Sequence, residues 1–475
     1  MNPFTDQTAL FTDFYELTMC QGYFLAGRAE DSAVFDYFFR ANPFDGGYVV
    51  YAGLDDLLNA LNGFVFSGDA LAFLREQGFA EDFLDYLKDF RFNGAIASVP
   101  EGEVVFPIEP VLRVDGTIME CQLIETLLLN CLNFESLIAT KAARIRRASG
   151  DRIVADFGLR RAQGPGGLLA SRAAVIGGVD MTSNVLAGQQ YGIPLTGTQA
   201  HSWVQSLDDE LAAFRQYADA YPDNTVLLVD TVDTLKSGVP NAIIVGQELA
   251  QKGYSLKAIR LDSGDLAYLS KKARKMLDEA GFHDTKILVS NQLDEFLIRS
   301  ILEQSAPVDG FGVGTELITG KKTAALDGVY KLSVYNGQPK LKLSDNPEKT
   351  TLPGKKQVCR FYDEDGTFYG DCIALSTESE LAIMHHPHEK EKHCRLSGRR
   401  NEPLMQTVME NGRIVKQESN VSTIQAYCKQ RLNALPEEHR RFEMPHIYKV
   451  GISDELDVLR NDMRRQLLAA FNTGE

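Results

Sequence analysis

Strand-like runs that recur along the middle of the chain constrain its fold more strongly than any other feature of the sequence. From about residue 152 to residue 330, short apolar runs end in polar or Gly-rich turns at intervals of roughly 20–35 residues, the length of a strand with a crossover helix. Helical patterns, with apolar residues at three- and four-residue steps, lie between the runs at 211–221 and 269–281. The runs end at Gly158, Asp180, Thr198, Thr231, Asp265, Asn291 and Thr315.

This alternation predicts an α/β fold, with a (β/α) barrel of about seven or eight strands favoured over a doubly wound open sheet. In either fold the reactive groups lie at the carboxyl ends of the strands. His201, one of eight histidines, follows such a strand end and a Gly-containing turn in the stretch GTQAHSWV. A hydrogen-bonded loop histidine would also fit this position, but the neighbouring polar strand ends favour a functional site.

Two further strand ends carry motifs suited to a phosphorylated sugar. DSGD places the carboxylates of Asp262 and Asp265 around a Gly turn, which suits a ribose diol or a Mg²⁺ ion that bridges phosphates. The alternative is an Asx-type turn that caps the next helix. The glycines of GVGT, which ends at Thr315, expose backbone N–H groups that bind phosphate, although glycines also serve tight turns.

Arginines follow or open the same strand ends. Arg160 and Arg161 come directly after DFG, and Arg260 opens RLDSGD. A guanidinium binds carboxylate or phosphate through two parallel N–H groups, whereas a surface salt bridge is the alternative interpretation. Because the formal net charge is −16, the chain is a poor partner for nucleic acid or an anionic membrane, and we expect a small anionic substrate instead.

The regions on either side of the barrel pattern differ from it in the order of their helix-like and strand-like segments. Residues 1–120 alternate helix-like and strand-like segments and predict an N-terminal α+β domain, with the barrel domain at 121–330. Residues 331–475 predict a β-rich region that packs back onto the first part and closes with a helix at about 454–471. Three hairpin-turn dipeptides lie in this region: Asn336-Gly337, Asp365-Gly366 and Asn411-Gly412.

Two charged segments have both a structural and a functional interpretation. A helical pattern from residue 120 to about 149 carries four cations, which we interpret as a solvated helix face, with phosphate contact as the alternative. The cations are Lys141, Arg144, Arg146 and Arg147. The run HHPHEKEKHC at 385–394 is predicted to be a solvated loop, because a metal site would require a spaced pair of partner ligands.

Composition and cysteine usage indicate a cytoplasmic protein. The seven cysteines form no C-x-x-C motif, which is typical of a reduced compartment with buried thiols. No apolar run reaches the roughly 18–20 residues of a membrane span. The first residues lack the basic segment and apolar core of a signal peptide, so we expect none.

An ordered set of motifs resembles the nicotinate phosphoribosyltransferase family over nearly the whole chain. The motifs are TDFYELTM, ATKAAR, DFGLRRAQGP, SNVLAG, GTQAHSWV, RLDSGDL, VSNQLDE, GVGTEL, GVYKL and LKLSDNPEKTTLPG. The resemblance implies transfer of a phosphoribosyl group from 5-phosphoribosyl 1-diphosphate (PRPP) to nicotinate, giving nicotinate mononucleotide and diphosphate in NAD salvage. It also implies ATP hydrolysis through a phosphohistidine, an incomplete α/β barrel of the type II phosphoribosyltransferase kind, and a homodimer whose partner completes the active site.

The same resemblance assigns roles to individual residues. His201 corresponds to the phosphorylated histidine, and Thr198 and Arg260 correspond to residues that contact nicotinate. Tyr15 corresponds to the aromatic residue that stacks on the pyridine ring, and Thr315 to a PRPP-binding threonine. Arg160 also resembles a residue of the substrate site.

The remaining roles combine the resemblance with the chemistry of the reaction. Loss of diphosphate creates oxocarbenium character at the ribose C1, so catalysis requires positioning, Mg²⁺ and donors on the leaving group. Asp262 and Asp265 are the candidates for the ribose and metal side, although the metal ligands stay unassigned. A group on the second ring nitrogen would fix the tautomer of the phosphorylated histidine, and Asp230 and Asp233 are the candidates for it.

Three other functions are open to a chain of this kind. A nicotinamide phosphoribosyltransferase would place an acidic residue near VDMTSN, where Thr182, Ser183 and Asn184 are neutral and only Asp180 is close, so nicotinate is favoured. A non-catalytic ligand-sensing relative is disfavoured because the histidine, DSGD and GVGT motifs are all retained. An aldolase-type barrel would need a strand-end lysine, which the runs lack.

Overall fold

A computed structural model describes residues 8–343, 351–389, 391–417 and 419–472. The chain divides into two compact units. We call the unit formed by Lys141–Ala324 and Asn420–Ser422 the central unit. The terminal unit consists of Met1–Thr140, Ala325–Ser419 and Thr423–Glu475. No helix in the described ranges combines the length and the apolar composition needed to cross a bilayer.

Strands and helices alternate along the central unit. Its strands are β6 (Ile153–Asp156), β7 (Met181–Thr182), β8 (Val226–Leu228), β9 (Ala258–Leu261), β10 (Lys286–Ser290) and β11 (Gly310–Val313). Its helices are α7 (Gly166–Ile176), α8 (Val185–Tyr191), α9 (His201–Gln205), α10 (Glu210–Ala220), α11 (Val239–Gln251), α12 (Leu266–Glu279), α13 (Glu295–Glu303) and α14 (Thr315–Ile318). The predicted helices at 211–221 and 269–281 are therefore confirmed as α10 and α12.

The six strands form one parallel sheet in the order β7-β6-β11-β10-β9-β8. Beyond β7, the sheet continues only through an isolated parallel bridge between Thr182 and Leu195. Because β7 and β8 lie at opposite edges, the sheet stays open, so the barrel of seven or eight strands that the spacing favours is wrong. The α/β fold with an incomplete barrel, which the family resemblance implies, is confirmed. Several crossover helices begin at an Asx side chain that accepts from the first turn: Asn184, Asp209, Asp265 and Asp294.

Two of the seven predicted strands are wrong. The run that ends at Asp180 starts inside α7, which extends to Ile176, and the strand begins only at Met181. An apolar run that is buried all round can be a helix end as readily as a strand. The run before Thr198 forms no strand, because Pro194 has no N–H to donate and Leu195 is 53% exposed.

The terminal unit contains the remaining elements. Its helices are α1 (Phe14–Leu25), α2 (Leu54–Asn62), α3 (Gly68–Glu76), α4 (Glu81–Asp89), α5 (Ile118–Leu123), α16 (Asp454–Asn472), the first part of α6 (Glu125–Ser149) and all of α15 (Val421–Ala434) from Thr423 onwards. Its first strands are β1 (Ser32–Phe39), β2 (Val49–Val50), β3 (Ala95–Ser98), β4 (Val104–Val105) and β5 (Leu112–Thr117). The later strands are β12 (Gly328–Tyr335), β13 (Gln338–Pro339), β14 (Lys356–Tyr362), β15 (Phe368–Leu375), β16 (Ile383–His385), β17 (His393–Arg395), β18 (Asn401–Pro403), β19 (Gln406–Glu410), β20 (Arg413–Ile414) and β21 (Val450–Ser453).

The late strands of the terminal unit pair with the early ones, as the sequence predicts. One sheet has the order β13-β12-β1-β5-β3-β19-β20, a second has the order β17-β16-β21-β15-β14-β18, and β2 pairs with β4. All three predicted hairpin turns join paired strands: β12 to β13, β14 to β15, and β19 to β20. Asn336 and Asn411 adopt positive φ angles of 47° and 48°, as turns of this kind require.

The basic helix is not the solvated face that the sequence predicts. The predicted helix from residue 120 divides into α5 and α6, and Lys141 and Arg144 on α6 are buried. Lys141 Nζ donates to Glu295 Oε2 at 2.6 Å, and Arg144 Nε donates to Glu295 Oε1 at 2.9 Å. Arg146 donates to the Asp180 carboxylate and to the Gly178 carbonyl. These contacts make the cluster part of the packing of the central unit.

The histidine-rich run and the cysteines also differ in detail from expectation. The run forms a β-hairpin rather than a loop, because His385 of β16 pairs with His393 of β17. Lys390 lies outside the described residues. Among the described residues, no group of three or more His, Cys, Asp or Glu side chains is arranged to hold a metal ion. All seven cysteines are free, and all but Cys394 are buried.

Candidate active site

The predicted site residues of the central unit lie at one edge of its sheet. In a parallel sheet, all carboxyl ends meet at the same edge, so residues far apart in sequence become neighbours there. This edge carries Thr231 after β8, Asp262 after β9, Ser290 at the end of β10 and Thr315 after β11. His201 opens the short helix α9.

The imidazole of His201 lies between a hydroxyl and a carboxylate. Its Nδ1 is 3.0 Å from Thr231 Oγ1, within hydrogen-bond distance. Its Nε2 is 3.7 Å from Asp262 Oδ2, too far for a hydrogen bond but close enough for electrostatic attraction. The side chain is 39% exposed, so a ligand can reach the ring from solvent.

The hypothesis that Asp230 or Asp233 orients the histidine is wrong. The Asp233 carboxylate instead accepts from the backbone N–H groups of Leu235 and Lys236, at the start of a π-helical turn. Asp230 turns towards the loop after β9 and not towards the imidazole. The side chain within hydrogen-bond distance of Nδ1 is instead that of Thr231, which the sequence shows only as the last residue of an apolar run.

Asp230 and Ser290 fix the position of Asp262. Asp230 Oδ2 accepts from the backbone N–H of Asp262 at 2.8 Å and from Ser263 Oγ at 2.6 Å. Ser290 Oγ donates to Asp262 Oδ1 at 2.5 Å. Asp262 Oδ2 is left to face the imidazole and the guanidinium of Arg260, which lie 3.7 and 3.9 Å away. This arrangement presents one carboxylate oxygen to a ligand at the strand ends.

Arg260 and Thr198 form the second half of the site. Arg260 Nη1 donates to Thr198 Oγ1, so the two residues predicted to contact the same substrate are in direct contact. The guanidinium is 14% exposed, and burial lowers the pKa of Arg260, while Asp262 and Asp230 oppose that shift. Its Nε is buried without a hydrogen-bond partner. A buried cation with an unused N–H is a suitable receptor for a carboxylate.

Phe157 was missed by the sequence analysis, although it stands in the DFG motif. Its ring centroid lies 5.9 Å from the guanidinium carbon of Arg260. A Cβ on Gly312 of β11 would lie 2.5 Å from the Phe157 ring, so only glycine lets the ring occupy this position. The signal available in the sequence is the pair of glycines in FGVG, because a glycine in a strand permits close approach of a neighbouring side chain.

The other predicted residues of the central unit have less defined surroundings. Asp265 Oδ1 accepts from the backbone N–H of Tyr268, which is the helix-cap arrangement considered as the alternative for DSGD. Thr315 opens the four-residue helix α14. Arg160 is exposed in a 3₁₀ turn, Leu159–Arg161, and its charge contributes to lowering the pKa of Arg260. The ligand roles assigned to these residues stay predictions.

Tyr15 belongs to the terminal unit, where it lies near the start of α1 and is 49% exposed. Partial burial raises the pKa of the Tyr15 hydroxyl most, and a hydrogen bond to Glu16 raises this pKa further, so the phenol stays neutral. Its role as a stacking group for an aromatic ligand stays a prediction.

The carboxylates at the strand ends suit a magnesium ion that arrives with a phosphorylated ligand. Mg²⁺ is commonly held by one or two carboxylates together with substrate phosphates. Asp230 Oδ1 is buried without a hydrogen-bond partner, and Asp262 Oδ2 lacks a hydrogen bond within the central unit, which the structure describes without gaps. These two oxygens are hard ligands of the required kind.

Comparison with known proteins gives matches along nearly the full chain. A model of the nicotinate phosphoribosyltransferase (NAPRTase) family matches residues 153–371. Models of the N-terminal and C-terminal domains of nicotinate phosphoribosyltransferase match residues 10–133 and 355–460. The chain is 43% identical over 471 residues to nicotinate phosphoribosyltransferase of Bacillus subtilis, covering 97% of this chain and 95% of the relative. It is 34% identical over 519 residues to the human enzyme of the same name, covering 96% of each chain.

Solved structures give a consistent result. The crystal structure of human nicotinic acid phosphoribosyltransferase superimposes with a TM-score of 0.86 at 32% identity, covering 95% of this chain and 99% of that chain. A nicotinate-nucleotide pyrophosphorylase from Pyrococcus furiosus superimposes with a TM-score of 0.72 at 24% identity, covering 90% and 96% of the two chains. The second match is evidence for the fold alone.

Proposed function

Because the chain belongs to the nicotinate phosphoribosyltransferase family, we propose that the strand-end edge of its central unit is the active site for the family reaction. The enzyme transfers a phosphoribosyl group from PRPP to nicotinate, and the products are nicotinate mononucleotide and diphosphate. This reaction belongs to NAD salvage. The fold is that of the type II phosphoribosyltransferases, with an incomplete barrel. The proposal concerns which residues act and how.

The observation that carries the proposal is the buried guanidinium of Arg260. Thr198 holds one of its N–H groups, while Nε–H has no partner. The nicotinate carboxylate accepts from this guanidinium and from the Thr198 hydroxyl. The neutral carboxamide of nicotinamide gains less from a buried cation, and Asp180, the acidic residue within VDMTSN, is already bonded to Arg146 and to the Val154 N–H. The site therefore favours nicotinate.

Asp262 acts on the ribose side of the reaction. As the bond between C1 and the diphosphate oxygen breaks, positive charge develops at C1, and the pyridine nitrogen supplies its lone pair to form the new C–N bond. A carboxylate held by Ser290 and by the backbone contact to Asp230 stabilises that charge without having to reorganise. Asp265 joins it at the ribose hydroxyls, and Thr315 and Arg160 contact PRPP and substrate.

ATP is the third substrate, and His201 is its phosphoryl acceptor. A neutral ring nitrogen gives its lone pair to the γ-phosphorus, the bond to the β–γ bridging oxygen breaks, and ADP leaves with that electron pair. The exposure of the ring and its hydrogen bond to a hydroxyl support this role. Asp262 and Asp230 would hold Mg²⁺ together with substrate phosphates, and the ion would neutralise charge on the leaving group.

We propose a homodimer in the cytoplasm, with Tyr15 of one copy stacking on the pyridine ring bound by its partner. Several large apolar side chains near Tyr15 are exposed, among them Phe14 at 57% and Met19 at 36%. Such a surface is typical of an interface between subunits. Sedimentation velocity of the purified chain should give twice the monomer mass, and a monomer with full activity would refute this part of the proposal.

The function is tested by a product assay with PRPP, Mg²⁺ and either nicotinate or nicotinamide. We expect nicotinate mononucleotide, formed faster when ATP is present, and little product from nicotinamide. Equal or better use of nicotinamide would refute the acid-selective site. His201→Ala should abolish the stimulation by ATP and the acid-labile protein phosphate while some transfer remains. Acid-labile phosphate on this variant would place the phosphorylated residue elsewhere.

A further inference from the structure

We infer that Thr231 is a positioning residue for His201: its hydroxyl holds the imidazole in the orientation that receives the phosphoryl group. The inference rests on the proposed function, in which His201 is phosphorylated. Thr231 belongs to no motif that carries the family resemblance, and the geometry alone points to it. Its side chain reaches the histidine across 30 positions of sequence.

The hydrogen bond at Nδ1 is the one bond that orients the ring within the central unit, all of whose residues are described. Thr231 Oγ1 lies 3.0 Å from Nδ1, whereas the nearest carboxylate oxygen, on Asp262, lies 3.7 Å from Nε2. His201 is also the first residue of a five-residue helix, so few main-chain contacts restrain it. Loss of the hydroxyl would leave the ring free to rotate about its side-chain bonds.

The hydroxyl itself is held in place by the end of β8. Asp230, the residue before Thr231, accepts from the backbone N–H of Asp262 and from Ser263, which ties the strand end to the loop after β9. Gly238 approaches the same strand end so closely that a Cβ there would lie 1.8 Å from the Val229 carbonyl oxygen. The strand end is therefore fixed from two sides, and Thr231 presents its hydroxyl from a rigid support.

A hydroxyl can take the place of the carboxylate that the sequence analysis expected. A carboxylate only accepts, so it could hold Nδ1 only when that nitrogen carries the proton. A hydroxyl both donates and accepts, so it can hold Nδ1 whether that nitrogen carries the proton or the lone pair. Thr231 thus orients the ring in its neutral form as well as after phosphorylation.

The test compares Thr231→Val with Thr231→Ser and with a matched control. Valine keeps the shape of threonine and removes the hydrogen bond, and serine restores the hydroxyl. Thr225→Val is the control, because Thr225 lies before the same strand and its hydroxyl donates to the Tyr221 carbonyl at 2.8 Å, away from the histidine. Each full-length variant is incubated with labelled ATP and Mg²⁺, and the rate of acid-labile phosphate formation is measured together with the melting temperature.

We expect Thr231→Val to lower the rate of phosphohistidine formation about five- to tenfold at saturating ATP, since one neutral hydrogen bond is lost. Thr231→Ser should recover most of the rate, and Thr225→Val should phosphorylate at the wild-type rate with a similar change in melting temperature. In nitrogen-15 spectra of histidine-labelled protein, the two His201 ring signals should change in Thr231→Val and not in the control.

Two results overturn the inference. One is a wild-type rate of phosphorylation in Thr231→Val while His201→Ala shows no phosphorylation. The other is a Thr231→Ser variant as slow as Thr231→Val, which would assign the effect to packing of the threonine methyl group. A His201→Ala variant that still forms acid-labile phosphate would instead refute the proposed function. If Thr231→Val does not fold, the serine variant and its ring signals decide the question.

Discussion

Replacing Arg260 with lysine directly tests the site proposed for the nicotinate carboxylate. In the structure, Arg260 Nη1 donates to Thr198, Nη2 lies 3.9 Å from Asp262 Oδ2, and Nε has no partner. Lysine keeps the positive charge but replaces a planar group with five N–H donors by a single ammonium. The ammonium cannot donate to Thr198 and also contact two carboxylate oxygens in one plane, so at least one hydrogen bond to nicotinate is lost.

The size of the effect follows from the hydrogen bonds that disappear. Losing one charge-assisted hydrogen bond to the substrate should cost about 1–3 kcal/mol, or roughly 5- to 150-fold in kcat/KM for nicotinate. PRPP affinity should change much less. The preference for nicotinate over nicotinamide should narrow, because the guanidinium contacts two carboxylate oxygens whereas an amide offers one acceptor.

Steady-state kinetics with nicotinate, nicotinamide and PRPP varied in turn provide the measurement. Arg274→Lys is the matched control, because Arg274 is of similar burial, 19% exposed, and its guanidinium donates to Asp278 and to the Thr285 carbonyl. It should lose stability without a change in kcat/KM for nicotinate. If Arg260→Lys instead loses PRPP affinity while the KM for nicotinate stays at the wild-type value, Arg260 serves the phosphate side and Arg160 becomes the better carboxylate ligand.

Three further variants test buried carboxylates and close backbone packing within the two units. Burial raises the pKa of Glu125 from 4.5 to about 7, so the free energy of unfolding should fall as pH rises through that value. Denaturant titrations at pH 5 and pH 8 should show this fall in the wild type and not in Glu125→Gln. Burial opposes ionisation of Glu295, but Lys141 and Arg144 outweigh burial and lower the pKa of this carboxyl group. Glu295→Gln should therefore lower the free energy of unfolding by about 3–5 kcal/mol at neutral pH, and by less as pH falls through the lowered pKa. Gly238→Ala should lower the melting temperature and the rate of His201 phosphorylation together, because its Cβ would meet a backbone carbonyl.

Much of the central unit could be predicted because its strands carry a strong local signal. Strands buried on both faces are continuous apolar runs, and each is followed by a polar or Gly-rich turn. The failures at Asp180 and Thr198 arise where this signal is ambiguous. The first run belongs to the apolar end of α7, and the second contains Pro194, which cannot donate to a neighbouring strand.

The partners of the charged residues could not be predicted. Glu295 lies 154 positions from Lys141 and 151 from Arg144, and nothing near either cation indicates that a carboxylate will be buried against it. For the same reason, Lys141 and Arg144 have the sequence pattern of a solvated helix face but form a buried ion-pair cluster with Glu295.

The sequence by itself determined the fold class, the edge of the sheet where the candidate site residues lie, and the types of side chain that gather there. Only the tertiary structure decided that Thr231 rather than Asp230 meets His201, and that Ser290 holds Asp262. The physical reason is the range of the forces involved. Periodicity, turn residues and helix caps act between neighbours in sequence, whereas the contacts of the site depend on the order of strands in the sheet, which brings residues about 30 positions apart to hydrogen-bond distance.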